Sequence, residues 1–588
     1  MPMIDVVAIG AVSPLGLGDA AWSNGPHGAP ASQRIARDGA LAAAGLRRPF
    51  AARVPLASSG GEDRATTLLL AAIAQIEPAL TAALTKGARL GLSLGSSSGG
   101  MESAERLFAA LDSDAPAVSA QQLDAATYHA PFRAAVARLD ARLDAGCPGL
   151  TRRAHLLSAC SASTLAIGLA MAWLEADACD LVVAGGYDAL TTFVAAGFEA
   201  LGATTATCPP RPFRLGRDGM SLGEGAGVVL LRRAGSSLPR LARLLGAGAS
   251  GDAVHLTAPD REGGGLSRAA SQALDRAGIE PSTVDLVSVH GTSTPFNDPM
   301  EAKAIARALG QHGRDVAVHA AKASIGHTLG AAGVLETLLA IDALRRGMIP
   351  ATAGEGELDP AVGAHPRARN EAATLRRVLK LSAAFGGANA ALIVGGPDDD
   401  APSVARPLRE VHERARVEVG PALDLDRVAE RSGVPRERLG RMDGAARAAL
   451  AAVAELAHAV GRERLRGAGI VLGTTVATID VNAVYAAAMR ARGAGHAEGR
   501  RFVYTTPNAA AGECAIAFGL TGPNLAVGRG ADASREAHEV ARDLCARGDA
   551  ERFVVVEDDA DGPLARRQLA ALGVDLPLGA RATLLERD

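Results

Sequence analysis

A chain of 588 residues exceeds what one hydrophobic core serves, so at least two folded units are expected. Hydrophobic residues make up 48% of it, with 68 Gly and 30 Pro, an ordinary α/β balance. A net charge of −3 excludes a nucleic-acid footprint or attraction to an anionic membrane, and six irregularly spaced cysteines form no disulfide framework, so a reduced, cytoplasmic protein is expected.

The opening MPMIDVVAIG has no basic stretch followed by an apolar one, so no secretory leader is expected. Val6–Gly10 reads as a strand ending in Gly, and Leu90–Leu94 as another, running into Gly95-Ser96-Ser97-Ser98-Gly99-Gly100. Leu156 to Leu174 carries no charge and is long enough to span a bilayer. Its Ser158, Cys160, Ser161, Ser163 and Thr164 favour a buried core helix instead. The strand Leu181–Gly186 follows, and a second α/β set runs from about Asp285 to Gly396. Strands alternating with Ala-rich helices predict a helix-covered, mostly parallel sheet.

A polar run, Pro397-Asp398-Asp399-Asp400-Ala401-Pro402, reads as the start of a linker over about 398–408. After it the first pattern returns. Val417–Gly420 echoes the opening strand, Ile470–Thr475 the Gly95 segment, Phe553–Val556 the strand near Val182, and Leu578–Leu585 the segment Leu222–Val229. The domains expected are therefore 1–397, with an N-lobe to about 245 and a C-lobe over about 246–397, and a degenerate N-lobe copy over 409–588.

Cys160, in Ser158-Ala159-Cys160-Ser161-Ala162-Ser163, sits at a strand-to-helix junction where the helix N-terminal field favours a thiolate. Taken alone it reads better as an inert buried thiol, and the other motifs reverse that reading. His290 follows the strand Val284–Val289 and opens His290-Gly291-Thr292-Ser293-Thr294-Pro295-Phe296-Asn297-Asp298. His327 closes Lys322-Ala323-Ser324-Ile325-Gly326-His327, ahead of Gly330-Ala331-Ala332-Gly333. Two histidines at strand ends beside Gly suit close approach to a substrate carbonyl, though either alone could be a core histidine. The chain has only four lysines, so keeping one at 322 suggests that a compact ammonium is needed there.

With Arg211-Pro212-Phe213, Arg217-Asp218-Gly219, Gly223-Glu224-Gly225-Ala226-Gly227 and Phe385-Gly386-Gly387-Ala388-Asn389-Ala390, these segments resemble the elongating β-ketoacyl-acyl-carrier-protein synthases over about 1–396. The resemblance implies a thiolase-like, layered αβαβα fold with duplicated lobes, extended here by a truncated N-lobe copy. It implies Cys160 as acyl-accepting nucleophile, His290 and His327 as donors to a malonyl-derived enolate, and Lys322 paired with Glu336 as support. It also implies Thr292 and Thr294 on a pantetheine arm, Phe385 as a gate, and backbone amides of Cys160 and Phe385 as an oxyanion hole. No metal or bound cofactor is implied, since substrates ride on the phosphopantetheine of acyl carrier protein. The family's Asn-Ser-Phe-Gly-Phe-Gly-Gly loop reads Leu381-Ser382-Ala383-Ala384-Phe385-Gly386-Gly387 here, so the gate is kept but its neighbour is Ala383. Segment 101–150 matches no quotable motif.

The stretch 409–588 resembles only the N-terminal half of the family, through Tyr504-Thr505-Thr506-Pro507-Asn508 and Phe518-Gly519-Leu520-Thr521-Gly522-Pro523. Counting back from Gly548-Asp549-Ala550 places Ala531 at the Cys160 position, so this copy has no nucleophile. It resembles a half-length chain-length factor, and docking on the first lobe of its own chain as an intrachain pseudo-heterodimer is expected. The competing readings are an acyl-thioester transferase or malonyl decarboxylase on the same fold, or a non-catalytic carrier-protein scaffold, with the third lobe a mere appendage.

Overall fold

The structure, a computed structural model of the chain, describes residues 3–23, 34–57, 61–111, 118–142, 149–235, 239–399, 401, 407–575 and 579–588. Part of the expected linker (400 and 402–406) and Leu578 lie outside the described residues.

One five-stranded unit occurs three times. In the first lobe β1 (Ile4–Ser13), β2 (Leu90–Gly95), β3 (Leu150–Leu156), β4 (Leu181–Asp188) and β5 (Gly225–Arg233) pair in the order 3-2-4-5-1. The second lobe repeats this order as 8-7-9-10-6. Its strands are β6 (Ala242–Gly251), β7 (Leu286–Ser288), β8 (Ala317–His319), β9 (Arg377–Ala383) and β10 (Ala388–Gly395). In the third lobe β11 (Val411–Val419), β12 (Gly469–Gly473), β13 (Asn524–Val527), β14 (Arg552–Glu557) and β15 (Ala580–Arg587) pair as 13-12-14-15-11. In every copy the first three strands of the order are parallel and the last two antiparallel. The second unit begins at β6, about forty residues before the α/β set visible in the sequence at Asp285, because β6 first pairs with β1 as well as β10.

Each copy carries two helices in matching places: α1 (Arg64–Ala83) and α2 (Ala162–Glu175), α3 (Gly264–Ala277) and α4 (Ala332–Arg346), α5 (Gly444–Val460) and α6 (Ala533–Arg547). The second of each pair forms a middle layer. Helix α2 touches β2 and β4, then α4 of the second lobe and α6 of the third. A helix enclosed on every side must be apolar all round. That accounts for the uncharged stretch Leu156–Leu174, which is the end of β3 and a 14-residue core helix rather than a bilayer span. Among the described residues, only α1 is long and apolar enough to cross a membrane by length and composition, and it packs on β1 and β5.

The edge strands of lobes one and three meet. β3 and β13 run antiparallel with Leu156 opposite Val527, flanked by Leu157 N–H to Ala526 O (2.8 Å) and Gly528 N–H to His155 O (3.0 Å). Pairing the two edges removes both from solvent. His155 sits in this seam with no exposed surface: its Nδ1 lies 2.8 Å from Gly528 O and its Nε2 3.0 Å from the Tyr187 hydroxyl. Asp549 of the third lobe joins Arg276 of the second at 2.9 Å and its own Arg547 at 2.7 Å, all buried.

Candidate active site

The three copies share a turn between the third strand and the middle-layer helix. Its first residue has a left-handed backbone each time: Ala159 (φ 49°), Leu329 (φ 54°) and Gly530 (φ 69°). Two of the three are not glycine, a conformation that costs on the order of 1 kcal/mol and is kept where geometry demands it. The next residue is Cys160, Gly330 or Ala531, and a helix follows directly. A side chain at Gly330 would come within 2.6 Å of Ser96 Cα and Ser97 N, so this copy's nucleophile position is filled by a neighbouring loop.

Cys160 is buried and its Sγ lies 3.0 Å from His327 Nε2. The His290 and His327 rings stand perpendicular with centroids 5.5 Å apart. Leu329 N–H donates to His327 Nδ1 at 3.3 Å, and Lys322 Nζ lies 3.3 Å from His290 Nδ1. An Nδ1 that accepts leaves the proton of a neutral ring on Nε2, so both rings present an Nε2–H donor away from their supports. Lys322 Nζ also donates to His290 O at 2.7 Å and pairs with Glu336 Oε1. The buried Glu301 carboxylate accepts the His290 and Gly291 amides at 2.5 and 2.8 Å, fixing the backbone that carries the first histidine.

Burial and the Lys322 charge hold His290 and His327 well below the usual imidazole range, so both are neutral. Burial pushes the Cys160 thiol up to about 12, against the pull of Lys322. Burial thus favours the thiol form of Cys160 at rest, where the helix N-terminal field alone favours the thiolate. A cavity of about 320 Å³ joins Cys160, His290, His327, Thr292, Thr294 and Phe385, with Phe198, Asp218 and Phe296 also on its wall. The Thr292 and Thr294 hydroxyls are 3.1 Å apart there. Lys322 and Glu336 lie behind the histidines, outside the cavity wall.

The Phe385 loop touches two lobes. Gly386 N–H donates to Leu256 O at 2.7 Å from the second-lobe side. From the third lobe Asn508 Nδ2 donates to Phe385 O at 2.7 Å and Asn524 Nδ2 to Gly386 O at 3.0 Å. Gly386 (φ 79°) has the left-handed backbone that favours glycine, and a Cβ there would lie 2.6 Å from Asn508 Nδ2 and displace it. The Phe385 ring lies 5.5 Å from that of Phe198, which contacts third-lobe Phe502 at 5.5 Å.

Sequence reasoning passed over Lys380, Glu301 and Asn508. Lys380 was open to the argument that singled out Lys322: of the four lysines, Lys86 and Lys303 are exposed and the other two are buried together on Glu336. Asn508 bore no signal of its role, because its partner is 123 residues away in another lobe.

The family description "Beta-ketoacyl synthase, C-terminal domain" matches residues 241–355, and "Beta-ketoacyl synthase, N-terminal domain" matches 63–236 and 398–557. The chain belongs to the β-ketoacyl synthase family. The 3-oxoacyl-[acyl-carrier-protein] synthase 2 of Coxiella burnetii is 34% identical over 323 residues, covering 53% of this chain and 76% of that protein. Its namesake from Staphylococcus aureus is 37% identical over 248 residues, 40% of this chain and 61% of that one. Among solved structures, the PfaC keto synthase–chain length factor aligns with 100% of this chain and 78% of its own at a TM-score of 0.75 and 17% identity, a likeness of fold. The ketosynthase ApeO in complex with its chain length factor ApeC, from Xenorhabdus doucetiae, aligns over 67% of this chain and 98% of its own at 27% identity and a TM-score of 0.56. The N-terminal-domain match to both 63–236 and 398–557 agrees with the shared strand order of lobes one and three.

Proposed function

We propose that this β-ketoacyl synthase joins an acyl thioester to a malonyl thioester, both presented on carrier protein, by decarboxylative Claisen condensation at Cys160. The observation that carries the reading is the convergence of two neutral imidazoles, Nε2–H outward, on one buried thiol at the end of a cavity. Thioester exchange alone needs a nucleophile and an oxyanion site. A second histidine donor is useful where a further negative charge develops, as it does on the malonyl thioester oxygen when carbon dioxide leaves.

In this mechanism Cys160 Sγ attacks the acyl carbonyl, and its proton leaves with the carrier thiol. The amides of Cys160 and Phe385 serve the tetrahedral oxyanion. A malonyl thioester then replaces the spent carrier, its arm held by Thr292 and Thr294. Loss of carbon dioxide gives an enolate whose oxygen takes hydrogen bonds from His290 and His327. The enolate carbon attacks the acyl-Cys carbonyl, and the Cys160 thiolate departs as the β-ketoacyl thioester forms. Lys322 and Glu336 act behind the histidines, which they orient.

The third lobe fits a chain-length-factor-like role, docked as the second half of an intrachain pseudo-heterodimer. The β3–β13 seam and the Asn508 and Asn524 bonds to the Phe385 loop support that reading. Reconstitution with acyl- and malonyl-carrier protein, read by mass spectrometry, should yield a β-ketoacyl carrier product. Acyl transfer without carbon–carbon bond formation would overturn it.

A further inference from the structure

Lys380 lies on β9, where alternation sends Leu379 and Leu381 into the second-lobe core and turns Val378, Lys380 and Ser382 toward the middle layer. A central strand position of that kind calls for an apolar side chain, yet here it holds a lysine with 0% exposure. Lys380 Nζ stands 2.8 Å from Glu336 Oε2, while Lys322 Nζ holds Oε1 of the same carboxylate. Lys380 also donates to Ser382 Oγ at 2.9 Å, and Ser382 Oγ is 2.8 Å from Thr164 Oγ1. Thr164 is in the first turn of α2, four residues past Cys160.

We infer that Lys380 is a second positioning cation of the condensing site, sharing Glu336 with Lys322 and tying the histidine support to the nucleophile's helix through Ser382 and Thr164. The inference rests on the condensation reading above and adds a residue to it.

Two ammonium groups on one carboxylate leave a surplus positive charge close behind both imidazoles. The charged groups that act on the two rings are Lys322 and Lys380, with Glu336 held between the two lysines, Glu301 on the His290 amide and the Cys160 thiol on His327. Burial holds the rings neutral and both lysines add to it, so each ring keeps a proton on Nε2 alone. A single lysine would neutralise Glu336 and leave no surplus. The second therefore supplies field as well as geometry: it opposes ring protonation and favours charge arriving on the enolate oxygen. The path through Ser382 and Thr164 fixes how far the thiol's turn stands from that support.

The test is Lys380→Met, which keeps length and volume without charge. Malonyl-carrier decarboxylation should fall about 10- to 100-fold in kcat, the cost of one hydrogen bond to a charged group. KM should stay within about twofold, and the acid limb of the pH–rate profile should move toward neutral pH. NMR titration of labelled His290 and His327 should show both midpoints rising in the variant. A variant that keeps wild-type kcat, pH limb and histidine midpoints, losing only thermal stability, would make Lys380 structural and overturn the inference. Should Lys380→Met not fold, Ser382→Ala and Thr164→Val decide: kcat within about twofold of wild type in both would sink the connection. If the wild type itself fails to decarboxylate malonyl thioester, the condensation reading falls, and the histidine midpoints still decide on Lys380.

Discussion

Cys160 and Ala531 occupy the same place in two copies of one turn, on sheets of identical strand order, yet their surroundings have little in common. Above Cys160 the second lobe supplies His290, Lys322, His327 and Phe385. Above Ala531 no lobe is present among the described residues, and the depression of about 90 Å³ is lined by Glu557, Asp558, Asp559 and Asp561 with Arg566 and Arg581. The carboxylates that close the two turns make the same point. Asp188 accepts from Ser96, Ser97 and Ser98 of its own lobe and also from Gly330 N of the second, at 2.6 Å. Among the described residues Asp559 accepts from Thr474, Thr475 and Val476 of its own lobe alone. The turn is a portable piece of backbone, whereas the site is a property of two lobes face to face. The third copy keeps the backbone without the facing lobe, while its edge strand pairs with β3 and its asparagines bond to the Phe385 loop.

The largest effect should come from exchanging the two positions. Cys160→Ala should lower condensation by about 10⁴-fold or more and abolish the acyl adduct, since Cys160 is the one thiol among the described residues that line the cavity. Adding Ala531→Cys to that variant should restore neither, because among the described residues the depression at Ala531 is lined by no histidine or lysine. An acyl group found on residue 531 after labelling with starter thioester would show that the turn alone suffices.

Removing the second lobe's contribution piece by piece comes next. His290→Ala and His327→Ala should each cost about 100- to 1,000-fold in carbon dioxide release, the usual loss for one donor to a developing oxyanion. Acylation of Cys160 should fall much less. Equal loss in both assays would place the histidines in service of the thiol or the fold.

The third lobe's hold on the other two can be broken at Asp549. Asp549→Ala leaves Arg276 and Arg547 buried without their shared carboxylate and should cost about 3–5 kcal/mol, measured by denaturant unfolding. A loss below about 1 kcal/mol would mean that the lobes separate before the network matters.

Two groups in the β3–β13 seam titrate with opposite sign. Burial lowers His155 to about 4, below its unfolded value, so its share of stability is present above pH 6.5 and lost as pH falls toward 4. Burial raises Glu536, which accepts the His155 amide, to about 8; its share is present below pH 4.5 and lost as pH rises through 8. Between pH 7 and 5 the two offset each other. Glu536→Gln removes one, so the variant should lose about 2 kcal/mol between pH 7 and 5 while the wild type changes less. Parallel curves for the two proteins would show that His155 is not held neutral by the seam.

Much of this was legible in the sequence because the decisive residues lie in short motifs whose spacing survives folding. Cys160, His290, Lys322 and His327 meet as the motifs imply, and the Ala531 count back from Gly548 lands on the matching turn. The charge state of Cys160 was not legible: it depends on burial against residues far off in sequence, His327 and Lys322 of the second lobe among them, which no local window contains. Lys380 was legible as one of only four lysines, but its role was not, since a strand lysine reads as an edge or surface residue until Glu336, on a helix 44 residues earlier, is brought beneath it. The contacts that cross from lobe three are the least legible, because a single asparagine carries no pattern.

The smallest expected effect tests whether the third lobe reaches the chemistry at all. Asn508 and Asn524 hold two successive carbonyls of the Phe385 loop from the third-lobe side, while Leu256 holds the Gly386 amide from the other. A loop pinned at three successive groups holds the Phe385 ring in one position on the wall of the Cys160 cavity, against Phe198. Asn508→Ala removes one neutral hydrogen bond and leaves the Phe385 carbonyl without its donor, a change of about 1 kcal/mol, or roughly fivefold. That energy should appear as looser gating rather than slower chemistry. Malonyl thioester should then be decarboxylated before Cys160 is acylated, and the ratio of carbon dioxide to β-ketoacyl product should rise from near one by up to about fivefold. Thermal stability should change little, since the β3–β13 seam is untouched. Asn524→Ala, whose bond is longer, should give a smaller rise. If both variants keep wild-type coupling, the third lobe braces the fold without governing the gate.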